Sequence, residues 1–243
     1  MVVTPELLSA FPLLKPLPKA VLLHLAAKSK LEKFARRGVV LSAGETKGVV
    51  CFLFEGRLQG LDFTIDGKEV GLYFVEPGGF CGELALFDRE PQAEYVIALT
   101  SAMVVFVPTR DLKEVMLKNP GVMNVVGGKL ASRVRQMVFQ RSLLGLPNIG
   151  QRVCCQLWML VSEADKARVA SIDNVEFHEE PAEIAHPPTH MEIAIMLNVS
   201  RETVTRVFQS LQNRQIVRRD GPTRLLIIDP KALKRLAEGS APS

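Results

Sequence analysis

The chain of 243 residues contains no apolar stretch long enough to cross a membrane. A membrane-spanning helix needs roughly 20 consecutive apolar residues, and the best run here, Ala102 to Val107, is only strand-sized. The N-terminus, MVVTPELLSAF, lacks the basic region followed by an apolar region that marks a secretory signal. We therefore expect a cytoplasmic protein.

Cysteine is scarce, with four residues at Cys51, Cys81, Cys154 and Cys155. None forms a C-x-x-C pair, and two adjacent cysteines cannot easily coordinate the same metal ion in a tetrahedral site. The pattern predicts reduced, buried thiols.

Recognisable catalytic motifs are absent as well. The sequence has no P-loop, no H-E-x-x-H and no evident nucleophile–base–orienter set, so motif evidence is against an enzyme. Three histidines, His178, His186 and His190, lie with Glu179, Glu180 and Glu183 in HEEPAEIAHPPTH. Imidazole and carboxylate suit zinc or nickel, but the prolines of this segment prevent a helical i, i+4 arrangement. We predict no metal site.

What the sequence does contain is an ordinary globular composition, 47% hydrophobic and 23% charged, with a net charge of +4. After a short helical segment, PKAVLLHLAAKSKLEKF, β-rich runs alternate with Glu-Gly, Asp-Gly and Pro-Gly-Gly turns up to about Pro108. This spacing predicts an antiparallel sandwich or barrel. Asp66-Gly67 predicts a tight hairpin between Leu61–Ile65 and Glu69–Phe74.

A long amphipathic helix follows at 119–146, with Asn119 as predicted N-cap and Pro120 at the first helical position. An apolar stripe runs along it at Val122, Val126, Leu130, Val134, Met137, Val138 and Leu144. The helix either packs on its own barrel or pairs with a second copy. We favour a homodimer, because little of the chain remains to cover such a helix.

Pro147-Asn148 breaks this helix and marks a domain boundary. IGQRVCCQLWMLVSEA predicts a further helix, and 166–188 is predicted as loop plus strand. Beyond it, Thr189 and Glu192 match a capping box, Asn198 suits a left-handed turn, and Ser200 can cap a second helix to about Asn213. Two helices with a short turn, followed by the strand pair of IVRRDGPTRLLII, predict a winged helix-turn-helix.

Positive charge is concentrated in this last segment, with six arginines between residues 201 and 224. A solvated helix face laced with salt bridges is the alternative interpretation. However, Arg201, Glu202 and Arg206 fall at the end of the second helix that enters a major groove in such motifs. Arginine pairs with guanine O6 and N7, and glutamate accepts from cytosine N4. The pattern therefore predicts binding to double-stranded DNA.

Nearly the whole chain resembles the cyclic-AMP receptor protein family, which includes the fumarate/nitrate-reduction regulators, and SRETVTR is very close to that family's recognition-helix signature. The resemblance implies an α+β fold with a cyclic-nucleotide-binding-type β-roll (a double-stranded jelly-roll), a dimerisation helix and a winged helix-turn-helix. The implied limits are 1–118, 119–146 and 147–243.

By the same resemblance, Arg201, Glu202 and Arg206 read the bases of a two-fold TGTGA-like site, with half-sites about one helical turn apart. Thr189, Ser200 and Thr203 contact DNA phosphates. The implied function is transcription regulation, for which RNA polymerase is a candidate partner.

The segment GELALFDREPQAEYV matches the family's phosphate-binding cassette at its start, Gly82, Glu83 and Leu84. In the family, this glutamate takes the ribose hydroxyl, and a later Arg-Ser pair takes the phosphate. Here the Arg-Ser positions are Gln92 and Ala93. Losing a buried charge-assisted hydrogen bond costs on the order of 2–5 kcal/mol. In the long helix, Met137 and Val138 also stand where the family's cyclic-AMP binders have a Thr-Ser pair that receives the adenine.

Cyclic AMP is therefore disfavoured, and three alternatives remain open. In the first, the pocket is vestigial. In the second, Arg89 replaces the missing arginine, and the ligand is a cyclic mononucleotide. In the third, the ligand is a different nucleotide. Some members without the cyclic-AMP residues respond to cyclic di-GMP, and Arg57, Lys68 and Arg89 could supply charge to it. We favour cyclic di-GMP. Arg133 matches a helix arginine that some members use near the ligand, although it could equally be a surface charge. No tightly bound cofactor is expected, and the iron–sulfur type, whose cysteine cluster is usually N-terminal, is disfavoured because this N-terminus has no cysteine.

Overall fold

The computed structural model describes residues 2–171, 181–221 and 223–239. They belong to two compact units, Met1–Met137 and Val138–Ser243. Separate antiparallel sheets combined with helices confirm the predicted α+β class. The finer limits 1–118, 119–146 and 147–243 stay a prediction. In the described part of the chain, no helix has the length and apolarity to span a bilayer.

The first unit contains eight strands in two four-stranded antiparallel sheets, ordered β1-β8-β3-β6 and β2-β7-β4-β5. The strands are β1 Lys30–Phe34, β2 Val39–Leu41, β3 Val49–Glu55, β4 Leu58–Phe63, β5 Glu69–Val75, β6 Phe80–Cys81, β7 Tyr95–Ala98 and β8 Ala102–Pro108. The helices are α1 Pro5–Ser9, α2 Lys19–Lys28, α3 Thr109–Lys118 and the start of α4, Pro120–Leu144.

Strand β3 shows how the core is arranged, because both of its faces are buried. Successive side chains of a strand point to opposite faces. Cys51 and Leu53 pack between the two sheets, whereas Val50 and Phe52 pack against α1, α2 and α3. All four cysteines are free and buried, which confirms that prediction. Burial raises the pKa of the Cys51 thiol well above its usual range.

The β4–β5 hairpin is real, but its connection is longer than the predicted two-residue turn. Residues 64–68 form the loop, closed by a 2.9 Å bond from the Thr64 amide to the Lys68 carbonyl. The Thr64 hydroxyl donates to Asp66 and accepts from the Lys68 amide. These side-chain bonds stabilise a wider loop, in which only Gly67 has positive φ, at 78°.

Helix α4 spans most of the predicted range and carries the predicted stripe. Its N-terminal members, Val122 and Val126, are buried in the core of the first unit. Val134 and Met137, in contrast, are 59% and 60% exposed in the single chain. The Asn119 side chain, predicted to cap α4, donates instead to the Val115 carbonyl at 2.7 Å and so closes α3.

The second unit contains a three-stranded antiparallel sheet, β10-β11-β9, packed with helices. Its elements after α4 are α5 Ile149–Leu160, α6 Glu163–Ser171, β9 Ala182–Ala185, α7 His190–Leu197, α8 Arg201–Asn213, β10 Val217–Asp220, β11 Arg224–Ile227 and α9 Pro230–Ala237. Helices α7 and α8 and the β10–β11 wing confirm the predicted winged helix-turn-helix.

Helix α6 was not predicted, since 166–188 was expected to be loop plus strand. The signal is local: the Ser162 hydroxyl accepts from the Asp165 amide at 3.0 Å, as an N-cap does. Glu163 and Asp165 occupy the first turn, where negative charge is favourable. The predicted strand is present as β9.

Candidate functional site

The turn between α7 and α8 is fixed by caps encoded within a few residues. The Thr189 hydroxyl accepts from the Glu192 amide at 3.2 Å, and the Glu192 carboxylate accepts from the Thr189 amide at 2.8 Å. Asn198 ends α7 with φ of 51°, and the Ser200 hydroxyl accepts from the Thr203 amide at 3.2 Å. The predicted capping box, left-handed turn and N-cap are all confirmed.

The N-terminal end of α8 presents Arg201, Glu202 and Arg206 to solvent. The opposite face of the helix is anchored in the core by Val204, Phe208 and Leu211. Within the described ranges, the three exposed side chains form no ion pair. They are therefore available to contact a ligand from a helix whose other face is anchored in the core.

The other arginines of this region divide into two groups. Arg224 is held on β11 by Glu183 of β9, with an Nε–Oε1 distance of 2.7 Å. Arg214 is exposed where α8 ends, and Arg218 and Arg219 are exposed on the wing strand β10. The salt-bridge interpretation therefore applies to Arg224, while the wing keeps positive charge at the surface.

His190 is a residue that the sequence interpretation did not connect with this surface. Its Nδ1 lies 3.0 Å from the Thr205 hydroxyl, and its ring lies 4.4 Å from the Phe208 ring, centroid to centroid. Burial, together with the charges of Arg219 and Arg201, lowers the pKa of His190. The histidine therefore joins α7 to α8 through its contacts with Thr205 and Phe208.

The segment HEEPAEIAHPPTH, in which we predict no metal site, is only partly described by the structure. His178, Glu179 and Glu180 lie outside the described residues. His186 has a left-handed backbone, φ 49°, and its amide donates to the Thr223 carbonyl at 2.7 Å. In the described ranges, no three histidine, cysteine or acidic side chains form a group that could hold a metal ion.

The cassette begins with a tight approach between strands that requires glycine at position 82. Gly82 has φ of 78°, and a Cβ there would lie 3.1 Å from both a Leu41 methyl carbon and the Val49 carbonyl oxygen. A short 3₁₀ helix, Glu83–Leu86, follows. This geometry directs the Glu83 side chain inward, where it is fully buried, while Leu84 remains partly exposed.

A buried ion cluster lies beside the cassette in the first unit, and Arg133 of α4 is its centre. Arg133 Nη1 lies 2.8 Å from Glu83 Oε1 and 3.9 Å from Glu94 Oε1. The guanidinium carbon lies 3.7 Å from the centroid of the Tyr73 ring. The Tyr73 hydroxyl donates to Glu94. Arg133 therefore contacts the cassette glutamate, and Tyr73 and Glu94 are members of this cluster that sequence interpretation missed.

The charged groups of this cluster lie close together, but several of their polar atoms form no hydrogen bond. Both Glu83 oxygens are buried without a hydrogen bond, as are Nε and Nη2 of Arg133. The short Glu83–Arg133 distance is thus an ion contact whose angles do not make a hydrogen bond. Burial raises the pKa of Glu83, and the nearby Arg133 charge opposes this rise. Burial and Arg133 together lower the pKa of Lys129.

The other predicted ligand residues are not gathered around Arg133. Arg89 and Ala93 are exposed. Arg57 binds Glu76, Nε to Oε1 at 2.6 Å. Lys68 binds Asp66 at the exposed hairpin.

Gln92 lies in a closely packed part of the cassette. Its amide donates to the Glu45 carbonyl and its carbonyl accepts from Gly44, both at 2.9 Å. Its side-chain Nε2 is buried without a partner. The cavity that Gln92 lines with Glu45, Ala85 and Glu90 measures about 20 Å³, roughly the space of one water molecule.

The buried Glu83 predicts a pH effect on stability. Its pKa in the folded protein is raised above the ordinary 4.5, so the folded state holds a proton that the unfolded state releases. The unfolding free energy should therefore fall as pH rises above about 4.5, through the raised pKa. When the free energy of unfolding of the first unit is measured by urea titration at several pH values, Glu83→Gln should remove this part of its dependence on pH.

Exposed Glu90→Gln, in the same loop, is the matched control and should leave the slope unchanged. Identical slopes for wild type and Glu83→Gln would contradict the assigned burial of an ionisable group.

Comparison with known proteins gives two family models that match in the order of the two units. Residues 31–119 match the model described as "Cyclic nucleotide-binding domain". Residues 151–236 match the model described as "Crp-like helix-turn-helix domain".

Among curated relatives, the cAMP-activated global transcriptional regulator CRP of Pasteurella multocida is 24% identical over 194 residues, which is 79% of this chain and 88% of that protein. Among solved structures, FixK2 from Bradyrhizobium japonicum has a TM-score of 0.68 at 18% identity, covering 88% of this chain and 98% of its own. The c-di-GMP-responsive global regulator CLP of Xanthomonas campestris has a TM-score of 0.62 at 20% identity, covering 82% and 94%.

Proposed function

The chain belongs to the CRP/FNR family of bacterial transcription regulators, and from that premise we propose a homodimer that binds a TGTGA-like palindromic DNA site under the control of a nucleotide second messenger. Cyclic di-GMP is favoured over cyclic AMP as that messenger. Like the family, the protein is a DNA-binding regulator with a nucleotide-binding domain and not an enzyme.

The observation that carries the DNA half of the proposal is the exposed trio at the start of α8. Arg201, Glu202 and Arg206 extend from a helix whose other face is buried, at the end that approaches base edges in this motif. Thr189, Ser200 and Thr203 lie at the two adjoining helix N-termini. Backbone amides and hydroxyls at such ends suit DNA phosphates.

The dimer follows from the uncovered part of α4. Val134, Met137 and Val138 are each about three-fifths exposed in the single chain, which is unusual for consecutive members of an apolar stripe. A second copy of α4 is the partner that gives a two-fold protein for a two-fold site. The proposed binding to DNA implies a location in the cytoplasm, where RNA polymerase is a candidate partner.

The effector half rests on the charge of the pocket. Cyclic AMP needs a cation at its phosphate, yet Gln92 is neutral and the one arginine in the cluster, Arg133, already faces two carboxylates. Cyclic di-GMP differs in base and size and is the messenger named for one structural relative. Arg89 and Lys68, both exposed, remain candidates for its phosphates.

A second candidate function is an effector-independent regulator. The observation in its favour is that Arg133 already lies against Glu83 and over the Tyr73 ring. In that case the β-roll serves only to build the dimer, and no nucleotide alters DNA affinity.

A titration of DNA affinity with nucleotide separates the two candidates. Binding of the full-length protein to a labelled TGTGA–TCACA duplex is measured by fluorescence anisotropy with cyclic di-GMP, with cyclic AMP or with neither. We expect cyclic di-GMP alone to shift the Kd, in either direction, by about 5- to 150-fold, the usual range of allosteric coupling. An unchanged Kd in all three conditions would favour the effector-independent regulator.

A further inference from the structure

We propose that the second unit holds a binding site for a small amphipathic organic anion, such as a carboxylate on an apolar body. The site is a groove of about 370 Å³ lined by residues of α5, α8 and α9 and of their ends. It belongs to a different unit from the nucleotide-binding domain. The inference therefore goes beyond the proposed messenger and does not depend on it.

The groove has the size and the floor of a small-molecule site. Such sites usually measure about 300–1,000 Å³ and combine apolar walls with a few polar groups. Here Cys154 of α5 and Leu211 of α8 are buried in the floor. Val207 of α8 and Leu236 of α9 also line the groove but are only half-buried. Apolar surface is thus left for the body of a ligand to cover.

Arg214, where α8 ends, gives the groove its charge. It is exposed and forms no ion pair within the described ranges, and none of the described residues that line the groove is acidic. The arginine charge extends to the floor. Burial and the neighbouring Cys155 raise the pKa of the Cys154 thiol to about 12, and the Arg214 charge opposes this rise. An anion is therefore the ligand that complements the groove.

Ser210 adds a second polar group beside the arginine. Ser210 and Arg214 both line the groove, and both are exposed. Residues four apart on a helix lie on the same face, so the hydroxyl and the guanidinium can bind one anionic group together. A guanidinium donates two parallel hydrogen bonds to a carboxylate, and a hydroxyl donates one more.

The other wall of the groove is fixed by contacts between α5 and the end of α9. The Gln151 side chain donates from Nε2 to the Ala237 carbonyl at 3.0 Å. Gly239, with φ of 80°, packs so closely here that a Cβ would lie 2.6 Å from the same Nε2. Glycine at position 239 thus lets the two segments meet, and the wall is formed before any ligand arrives.

The groove and the side chains that we expect to contact DNA bases occupy different sides of α8. At 3.6 residues per turn, the groove residues of α8 are centred about 150° around the helix axis from Arg201, Glu202 and Arg206. A ligand in the groove can therefore contact the recognition helix without covering these three side chains.

Two fluorescent probes that differ in charge test the site. 1-Anilinonaphthalene-8-sulfonate carries an anionic group on an aromatic body, and N-phenyl-1-naphthylamine is the same body without the sulfonate. Each is titrated into the full chain, and binding is followed by probe fluorescence. We expect Arg214→Gln to weaken binding of the sulfonate about threefold to tenfold and to leave the affinity for the neutral probe unchanged.

Arg235→Gln is the matched control, because it removes an exposed cation of α9 that does not line the groove. It should change neither affinity. Ser210→Trp places a large side chain in the groove from an exposed position, and it should weaken both probes.

Unchanged affinity of Arg214→Gln for the sulfonate would overturn the proposal. Equal weakening by Arg235→Gln would also contradict it, because the effect would then come from the net charge of the unit. If Arg214→Gln weakened both probes alike, or if Ser210→Trp weakened neither, the assigned anion site would be wrong. None of these results bears on DNA affinity, which is measured separately.

Discussion

Arg201→Ala should abolish sequence-specific DNA binding while leaving the fold intact. Arg201 is exposed at the first position of α8 and forms no ion pair within the described ranges, so its removal leaves no buried partner unpaired. A bidentate arginine–guanine contact is worth about 1–3 kcal/mol of discrimination. A dimer loses two such contacts, so specific affinity should fall roughly 30-fold to 25,000-fold.

The measurement is fluorescence anisotropy on the TGTGA–TCACA duplex and on a scrambled duplex, with thermal melting as the fold check. Arg235→Ala is the matched control, because it removes the same charge from an exposed position of α9 in the same unit. We expect the control to weaken both duplexes slightly and equally. Unchanged specific affinity in Arg201→Ala would contradict the assignment of α8 as the recognition helix.

Met137→Glu should convert the protein to a monomer and, as a consequence, remove its affinity for the palindrome. Met137 is 60% exposed in the single chain, so a glutamate there does not disturb the fold of one copy. In a dimer it would bury two like charges facing each other, at a cost of several kcal/mol. Sedimentation equilibrium at micromolar concentration distinguishes monomer from dimer.

Ser132→Glu is the control for added charge on the same helix. Ser132 is exposed and, five residues before Met137, lies about 140° away from it around the helix. We expect Ser132→Glu to remain dimeric and to bind DNA with nearly wild-type affinity. A dimeric Met137→Glu protein would place the subunit interface on another surface.

Helix α4 provides a physical route from pocket to dimer. Arg133 contacts Glu83 in the pocket, and its neighbour Val134 belongs to the exposed stripe. A ligand that takes Arg133 away from Glu83 changes the constraints on the helix that we propose as the dimer contact. Such a ligand shifts the population of dimer arrangements only as far as it binds one of them more tightly.

The helix-turn-helix could be predicted almost to the residue, because its signals are local. Thr189 and Glu192 cap one helix, Asn198 turns the chain and Ser200 caps the next, all within twelve residues. Hydrogen bonds between near neighbours in sequence leave a readable pattern. For the same reason, the missed helix α6 had a readable cap at Ser162.

The pocket could be predicted only in part, because it is assembled from distant segments. Glu83 and Arg133 could be identified through the family resemblance, but Tyr73 lies on β5 and Glu94 precedes β7. Their meeting depends on how two strands and α4 pack, which no local pattern encodes. The other cationic residues predicted as ligands show that sequence alone does not determine where a charge is directed. Arg89 is exposed to solvent, and Arg57 and Lys68 form ion pairs with nearby acidic side chains.

The most direct test of the central claim is the affinity of the unmodified protein for two palindromic duplexes. One has TGTGA and TCACA half-sites with centres about one helical turn apart, and the other adds about five base pairs between them, which rotates one half-site to the opposite side of the DNA. A dimer with two linked recognition helices predicts tight binding to the first duplex and at least roughly tenfold weaker binding to the second. Equal affinity for both would contradict two-fold recognition by paired α8 helices.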